Sequence, residues 1–361
     1  MTAVPTMFRR PAALLVGVLV ALAGTVHAQY ASDPFFERTV VQSRGFGLEL
    51  MDARLLVLAT YGVAPEGLDE TIEGLEEDMA RFGGTLNASA PDLAHELEDG
   101  VEAIEAAFER GEDLTDLVET VRGTLEEASR SVLPADVRTE PAYVAAVAAD
   151  LLLAEGGVAE GVEEAIEEDE PWMYPLGWAT LQRVKALWGE LASAASDDQA
   201  SFADQYLATL EEIYPAATLP DVFPSNPEEA EAPAQSLVGI IESVADAALY
   251  PGRDAARLAR HLETVAAPAC EAFAAGEDAL AFEHVVIVGD LYDAHLTDVL
   301  ALVASAEDEA VVDSLAALGY GGEEDEEGDD DGDDVERAEN PSETCQDLVR
   351  NLSSAGRVLG G

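Results

Sequence analysis

In the stretch EGLDETIEGLEEDMARFGG, Leu68, Ile72, Leu75 and Met79 recur at steps of three and four residues until paired glycines, Gly83 and Gly84, stop the run. That period gathers the four side chains on one face of an α-helix, whereas a half-buried strand would alternate strictly. The next run, SAPDLAHELEDGVEAIEAAFERG, repeats the grammar: Ser89 as a cap, Pro91 early, and Leu97, Val101, Ile104 and Phe108 along one face. RTEPAYVAAVAADLLLAEGG and SNPEEAEAPAQSLVGIIESVADAALYPG follow it too, with Thr139 and Asn226 as expected caps. HVVIVG, residues 284–289, is locally ambiguous, but its flanks continue a helical pattern, so one long helix is expected from Asp278 to Ala304. The fold class is therefore all-α: antiparallel helix bundles in two lobes, about ten or eleven helices with a further helix in the C-terminal tail.

Some 330 residues after an export signal exceed one comfortable core, which suggests the two lobes. The best seam is GVEEAIEEDEPWMYPLGW, where an acidic run meets Pro171 and Pro175. The expected division is a signal peptide at 1–28, an N-terminal helical lobe at 29–170, a C-terminal helical lobe at 171–320, an acidic disordered linker at 321–340 and a tail helix at 341–361.

The signal peptide rests on three parts in order: Arg9 and Arg10 with no acid nearby, an apolar run of about a dozen residues, and small Val26 and Ala28 ahead of an expected cleavage site. Such a run is shorter than the roughly 20 residues that span a bilayer. Export to the periplasm or outside the cell follows, with no membrane span after cleavage. Composition narrows the partners. Seventy-four acidic residues against eighteen basic ones give a net charge of -56, and no basic cluster is left with which to neutralise phosphates. Nucleic acid is excluded on that ground, and a cell-envelope protein or a cation remains as partner. The acidity suits a surface hydrated in high salt, and it equally suits codon bias in a GC-rich genome.

All three tryptophans and the only lysine lie within residues 171–188. Trp178, Val184, Leu187 and Trp188 share a helical stripe with Lys185 at its margin. Two readings stand. Trp172, Tyr174, Trp178 and Trp188 form an aromatic seam where the lobes meet, with the Lys185 ammonium reaching an acidic neighbour; or the rings and the one cation form a platform for an anionic or sugar-like ligand. The histidines are a second constellation. His95 with Glu98, and His295 with Asp298, are spaced to point the same way from a helix, as metal ligands in bundles often are. His284 and His295 share a face but stand about 16 Å apart along the axis, so one ion cannot bridge them. Acidic residues are so common here that any histidine finds a carboxylate by chance.

The HELE of residues 95–98 resembles the second part of the Gly-x-His-x-x-Glu motif of imelysin-like proteins, exported helical proteins linked to iron uptake, with Leu93 where that motif has glycine. The resemblance covers a few residues and implies His95 and Glu98 as metal ligands. Other signatures of chemistry are missing: Gly-x-Ser-x-Gly, Cys-x-x-Cys, His-Glu-x-x-His and a phosphate-binding loop before Lys185. The acidic tract EEDEEGDDDGDD, residues 323–334, fails as a calcium loop because Asp334 and Ala338 occupy its hydrophobic and bidentate positions. What remains is an exported protein with a binding or scaffolding role in the cell envelope that needs no cofactor, or alternatively a metal-handling accessory using iron or another divalent metal. The two cysteines, Cys270 and Cys345, are expected to pair, since export places an even count in an oxidising compartment.

Overall fold

The computed structural model describes residues 35–62, 68–168, 170–224, 226–251, 254–321 and 338–360. The expected signal peptide and most of the acidic linker, with its calcium-loop candidate, lie outside them. Among the described residues there are sixteen α-helices and no strand, so the all-α expectation holds, while ten or eleven was too few. The excess comes from short helices that carry no long apolar stripe, such as Ala135–Arg138 and Glu160–Glu163, and from one expected helix that is broken. The run from Asp278 divides into Asp278–His295 and Thr297–Val303 at Leu296, where φ is -120°. The Thr297 hydroxyl there turns back to the Tyr292 carbonyl (3.4 Å) and to Asp293 Oδ1 (3.1 Å), a local bond that competes with the helical ladder.

Helix α1 (Phe35–Tyr61) is buried on most of its circumference. Against it pack α2 (Asp69–Ala80), α5 (Thr115–Val132), α7 (Pro141–Leu153) and α9 (Met173–Leu191). Between these lie α3 (Gly83–Ser89), α4 (Pro91–Glu109), α6 (Ala135–Arg138) and α8 (Glu160–Glu163). Helices α10 (Asp197–Ile213) and α11 (Glu228–Ala245) follow, and then come α12 (Ala255–Ala275), α13 (Asp278–His295), α14 (Thr297–Val303), α15 (Ser305–Ala317) and α16 (Pro341–Gly360).

Most of the predicted stripes are buried, Leu68 at the cap of α2, Ile72 and Leu75 on it, and Leu97, Val101 and Ile104 on α4, while Met79 and Phe108 are partly buried. The caps differ. Ser89 caps nothing, since Ala90 precedes Pro91 in the cap position, and Glu140 takes the place expected of Thr139. Asn226 does accept a first-turn N–H, from Glu228 at 3.4 Å. Pro175 sits in the first turn of α9, where no intrahelical N–H is required, so that helix begins at Met173, ahead of the proline.

The buried hydrophobic side chains form two clusters. The first runs from Phe46 to Leu249; the second comprises Phe35 and residues from Leu258 to Ala355. Hydrophobic residues on either side of Pro171 share the first cluster, so the core is continuous across the expected seam. The second cluster is built mainly on α12, with α13 and α16 against it. Cys345, Leu348, Leu352 and Ala355 of α16 are buried there, and the expected disulfide joins Cys345 to Cys270 of α12 with Cα atoms 5.3 Å apart.

A buried carboxylate joins the two clusters. Glu283 of α13 is fully buried, accepts the Thr85 N–H (2.7 Å) and hydroxyl (3.0 Å), and pairs with Arg44 of α1 at 2.7 Å. Thr85 N lies in the first turn of α3, whose own cap residue, Phe82, has no side-chain oxygen to offer; a distant helix supplies the anion instead. The approach explains Gly84, where a Cβ would collide with the backbone of Ala279 and Leu280. The glycine pair does not end α2, which stops at Ala80; it opens α3, and Gly84 serves the close packing there.

Candidate functional site

Where the first turns of α1, the end of α7 and the last turns of α13 meet, they leave a cavity of about 500 Å³ between the two clusters. Phe35, Phe46, Tyr250 and Tyr320 give it aromatic walls. Exposed Glu155, Asp293 and Ala294 mark its mouth.

The polar wall has two parts. On one, Gln42 Nε2 of α1 donates to Asp150 Oδ2 of α7 at 2.8 Å. Burial pushes the Asp150 carboxyl up to about 7, with Asp290 adding to the effect and the Gln42 hydrogen bond, Arg81 and Arg38 opposing it. Gln42 is only 6% exposed, and its Oε1 has no hydrogen-bond partner among the described residues; neither has the buried Oγ of the next residue, Ser43. On the other part, Arg81 Nε donates to Asp290 Oδ2 (3.2 Å) and the Tyr320 hydroxyl donates to Asp290 Oδ1 (3.3 Å). Arg81 also lies over the Phe46 ring, 5.4 Å from its centroid, and 3.9 Å from Asp78, which in turn holds Arg54 at 3.0 Å. Burial raises Asp78 to about 6 in spite of both guanidiniums, and it raises Asp290 as well. Tyr320 rests on Gly289, where a Cβ would strike its ring. His295 forms the far wall, edge-on to Tyr250 at 6.4 Å, and burial holds its imidazole below the usual range.

Of the five expected metal ligands, only His295 lines this cavity. Asp298 is exposed on α14, beyond the break at Leu296. His284 is half-buried, its Nδ1 has no hydrogen-bond partner among the described residues, and burial lowers its pKa. His95 is exposed on α4; its ring Nδ1 meets the Pro91 carbonyl of its own helix at 2.7 Å, which with Glu98 raises its pKa. Glu98 faces a smaller cleft alongside Glu76 and Glu102. No three His, Cys, Asp or Glu among the described residues are grouped so as to hold a metal ion. The aromatic residues all belong to the first cluster: Tyr174 and Trp188 are buried in it, and Trp172 and Trp178 pack against it. Lys185 pairs with Glu211 of α10.

Asp150, Asp290, Arg81, Gln42, Tyr250 and Tyr320 escaped the sequence reading. A signal was present for two of them: Asp150 and Asp290 each interrupt an apolar helical run, AAVAADLLLA and HVVIVGDLY. A charge in such a run is costly unless something in the fold uses it. No helix of the described residues is long and apolar enough to cross a membrane. No protein-family model, curated protein or solved structure matches the chain.

Proposed function

We propose that the protein is an exported binding protein of the cell envelope that holds a small organic molecule in the cavity between α1, α7 and α13. The observation that carries this reading is the pair of unpartnered buried polar atoms, Gln42 Oε1 and Ser43 Oγ, on residues lining a cavity that aromatic rings, aliphatic side chains and ion pairs also line. A buried polar atom left without a partner costs about 1–3 kcal/mol, a cost that a ligand's hydrogen bonds would relieve. The volume falls within the roughly 300–1,000 Å³ of small-molecule sites, which are apolar hollows with a few convergent polar groups. Export is supported by the signal-like N-terminus and is compatible with the cysteine pair.

The test is a thermal-shift screen of small organic compounds against the purified protein and against Ser43→Trp, which fills the cavity from α1. Compounds that stabilise the native protein and not the variant are expected. A screen without a stabilising compound, or one whose compounds act equally on both proteins, would overturn the proposal. Stoichiometric iron or another divalent metal in the protein purified from its own cells would instead favour the metal-handling alternative.

A further inference from the structure

Resting on that reading, we infer that the ligand is an organic monocation: a primary ammonium group attached to a compact apolar body. Its ammonium would lie at Gln42, Ser43 and Asp150, and its body would lie among the aromatic rings.

Charge points first to a cation. Four carboxyl groups line the cavity, those of Asp150, Glu155, Asp290 and Asp293, against one guanidinium, Arg81. Arg81 is already committed to Asp290 and Asp78, so it offers little to an anionic ligand. Hydrogen-bonding capacity points the same way. Gln42 Oε1 is an acceptor only, Ser43 Oγ can accept, and Asp150 has capacity left beyond the single bond from Gln42 Nε2. An ammonium brings three donors and no acceptor, which matches the acceptors that three residues lining the same cavity supply. A carboxylate or phosphate would set its oxygens against those same atoms. The aromatic residues complete the fit, because ring faces attract a cation and their area buries an apolar body.

The site also predicts how binding varies with pH. The groups facing Asp150 are Gln42 and Arg38 from α1, Arg81 ahead of α3, Asp290 from α13 and the Tyr250 ring. Glu155, Asp293 and His295 stand further round the wall. With the Asp150 carboxyl near 7, its anionic form dominates at pH 8 and is rare at pH 5.5. Over that interval the probe amine keeps its charge while Asp150 loses its own.

The experiment is calorimetric titration of the purified protein with three near-isosteric probes: 2-phenylethylammonium, 2-phenylethanol and phenylacetate. The ammonium is expected to bind at least tenfold more tightly than the alcohol at pH 8, with no binding of phenylacetate. Its affinity should fall by about 30-fold between pH 8 and pH 5.5, the change expected when one group of pKa near 7 must be ionised for binding. Asp150→Asn should remove both the advantage over the alcohol and the pH dependence, while alcohol binding reports that the cavity is intact. Equal or tighter binding of the alcohol or of phenylacetate would overturn the cation assignment and leave the small-molecule reading standing. Failure of all three to bind at millimolar concentration would also overturn it, and the screen against Ser43→Trp then decides separately whether the cavity is a site at all.

Discussion

Asp150→Asn offers a direct measure of how strongly the cavity disfavours charge. Asparagine keeps the shape of the side chain and an oxygen for the Gln42 amide, and it removes only the titration. In the native protein the carboxyl has a pKa of about 7, above its ordinary 3.8. The folded state therefore holds its proton more tightly than the unfolded chain does. Stability from this group is complete below the unfolded value and is lost as pH rises through the folded one. One pKa unit corresponds to about 1.4 kcal/mol, so the full loss is about 4 kcal/mol, of which about 2.5 kcal/mol falls between pH 5 and pH 8. Urea unfolding of both proteins at pH 5, 6, 7 and 8, at constant salt, should show the variant gaining on the native protein by about that amount as pH rises. If the two stability profiles stay parallel within about 0.5 kcal/mol, Asp150 ionises as it would in water, and the account of a poorly solvated carboxyl is wrong.

Replacing both Cys270 and Cys345 by alanine should cost about 4 kcal/mol in urea unfolding, because the bridge closes a separation of 75 residues; an unchanged midpoint would mean that α16 docks by its apolar face alone. Gly289→Ala should displace the Tyr320 ring from the cavity wall, at a stability cost of about 1–3 kcal/mol and with loss of whatever compounds the screen identifies. A variant that keeps those compounds would exclude Tyr320 from the site. If the net charge of -56 reflects adaptation to salt, the melting temperature should rise steeply from low salt to molar KCl, and a flat profile would favour codon bias.

Periodic features were legible in the sequence, and features that depend on a distant partner were not. The burial of Leu68, Ile72 and Leu75 follows from spacing alone, and the cysteine pair was expected from an even count together with the export read from the N-terminus. The tryptophan stripe was readable as buried surface. What covers it was not, because α9 packs on α7 and also on α1, which lies far behind it in the chain. Helix number failed where a helix is too short to show a period, and at Leu296, where the break is accompanied by a threonine hydroxyl turned back on the preceding helix. The cavity was hidden for a similar reason. Asp150 and Asp290 stand out as acids in apolar runs, but their partners Gln42 and Arg81 lie 108 and 209 residues away, and no local rule connects them.

Helix α1 is the first described element of the chain, and the polar partners of its first turns are among the last residues to be made. Arg38 donates to the Ala248 carbonyl, Thr39 meets His261, and Arg44 holds Glu283, across 210, 222 and 239 residues. Contacts so remote in sequence form only after long loops have closed, and they place the junction late in the order of folding. A chain exported from its N-terminus would carry Phe35 unshielded until the second cluster assembles around it, a window in which it is exposed to misassembly. Pulse-labelled hydrogen exchange during refolding would time that step: backbone amides from Phe35 to Phe46 should gain protection after those in the rest of α1, and simultaneous protection would rule the sequence of events out.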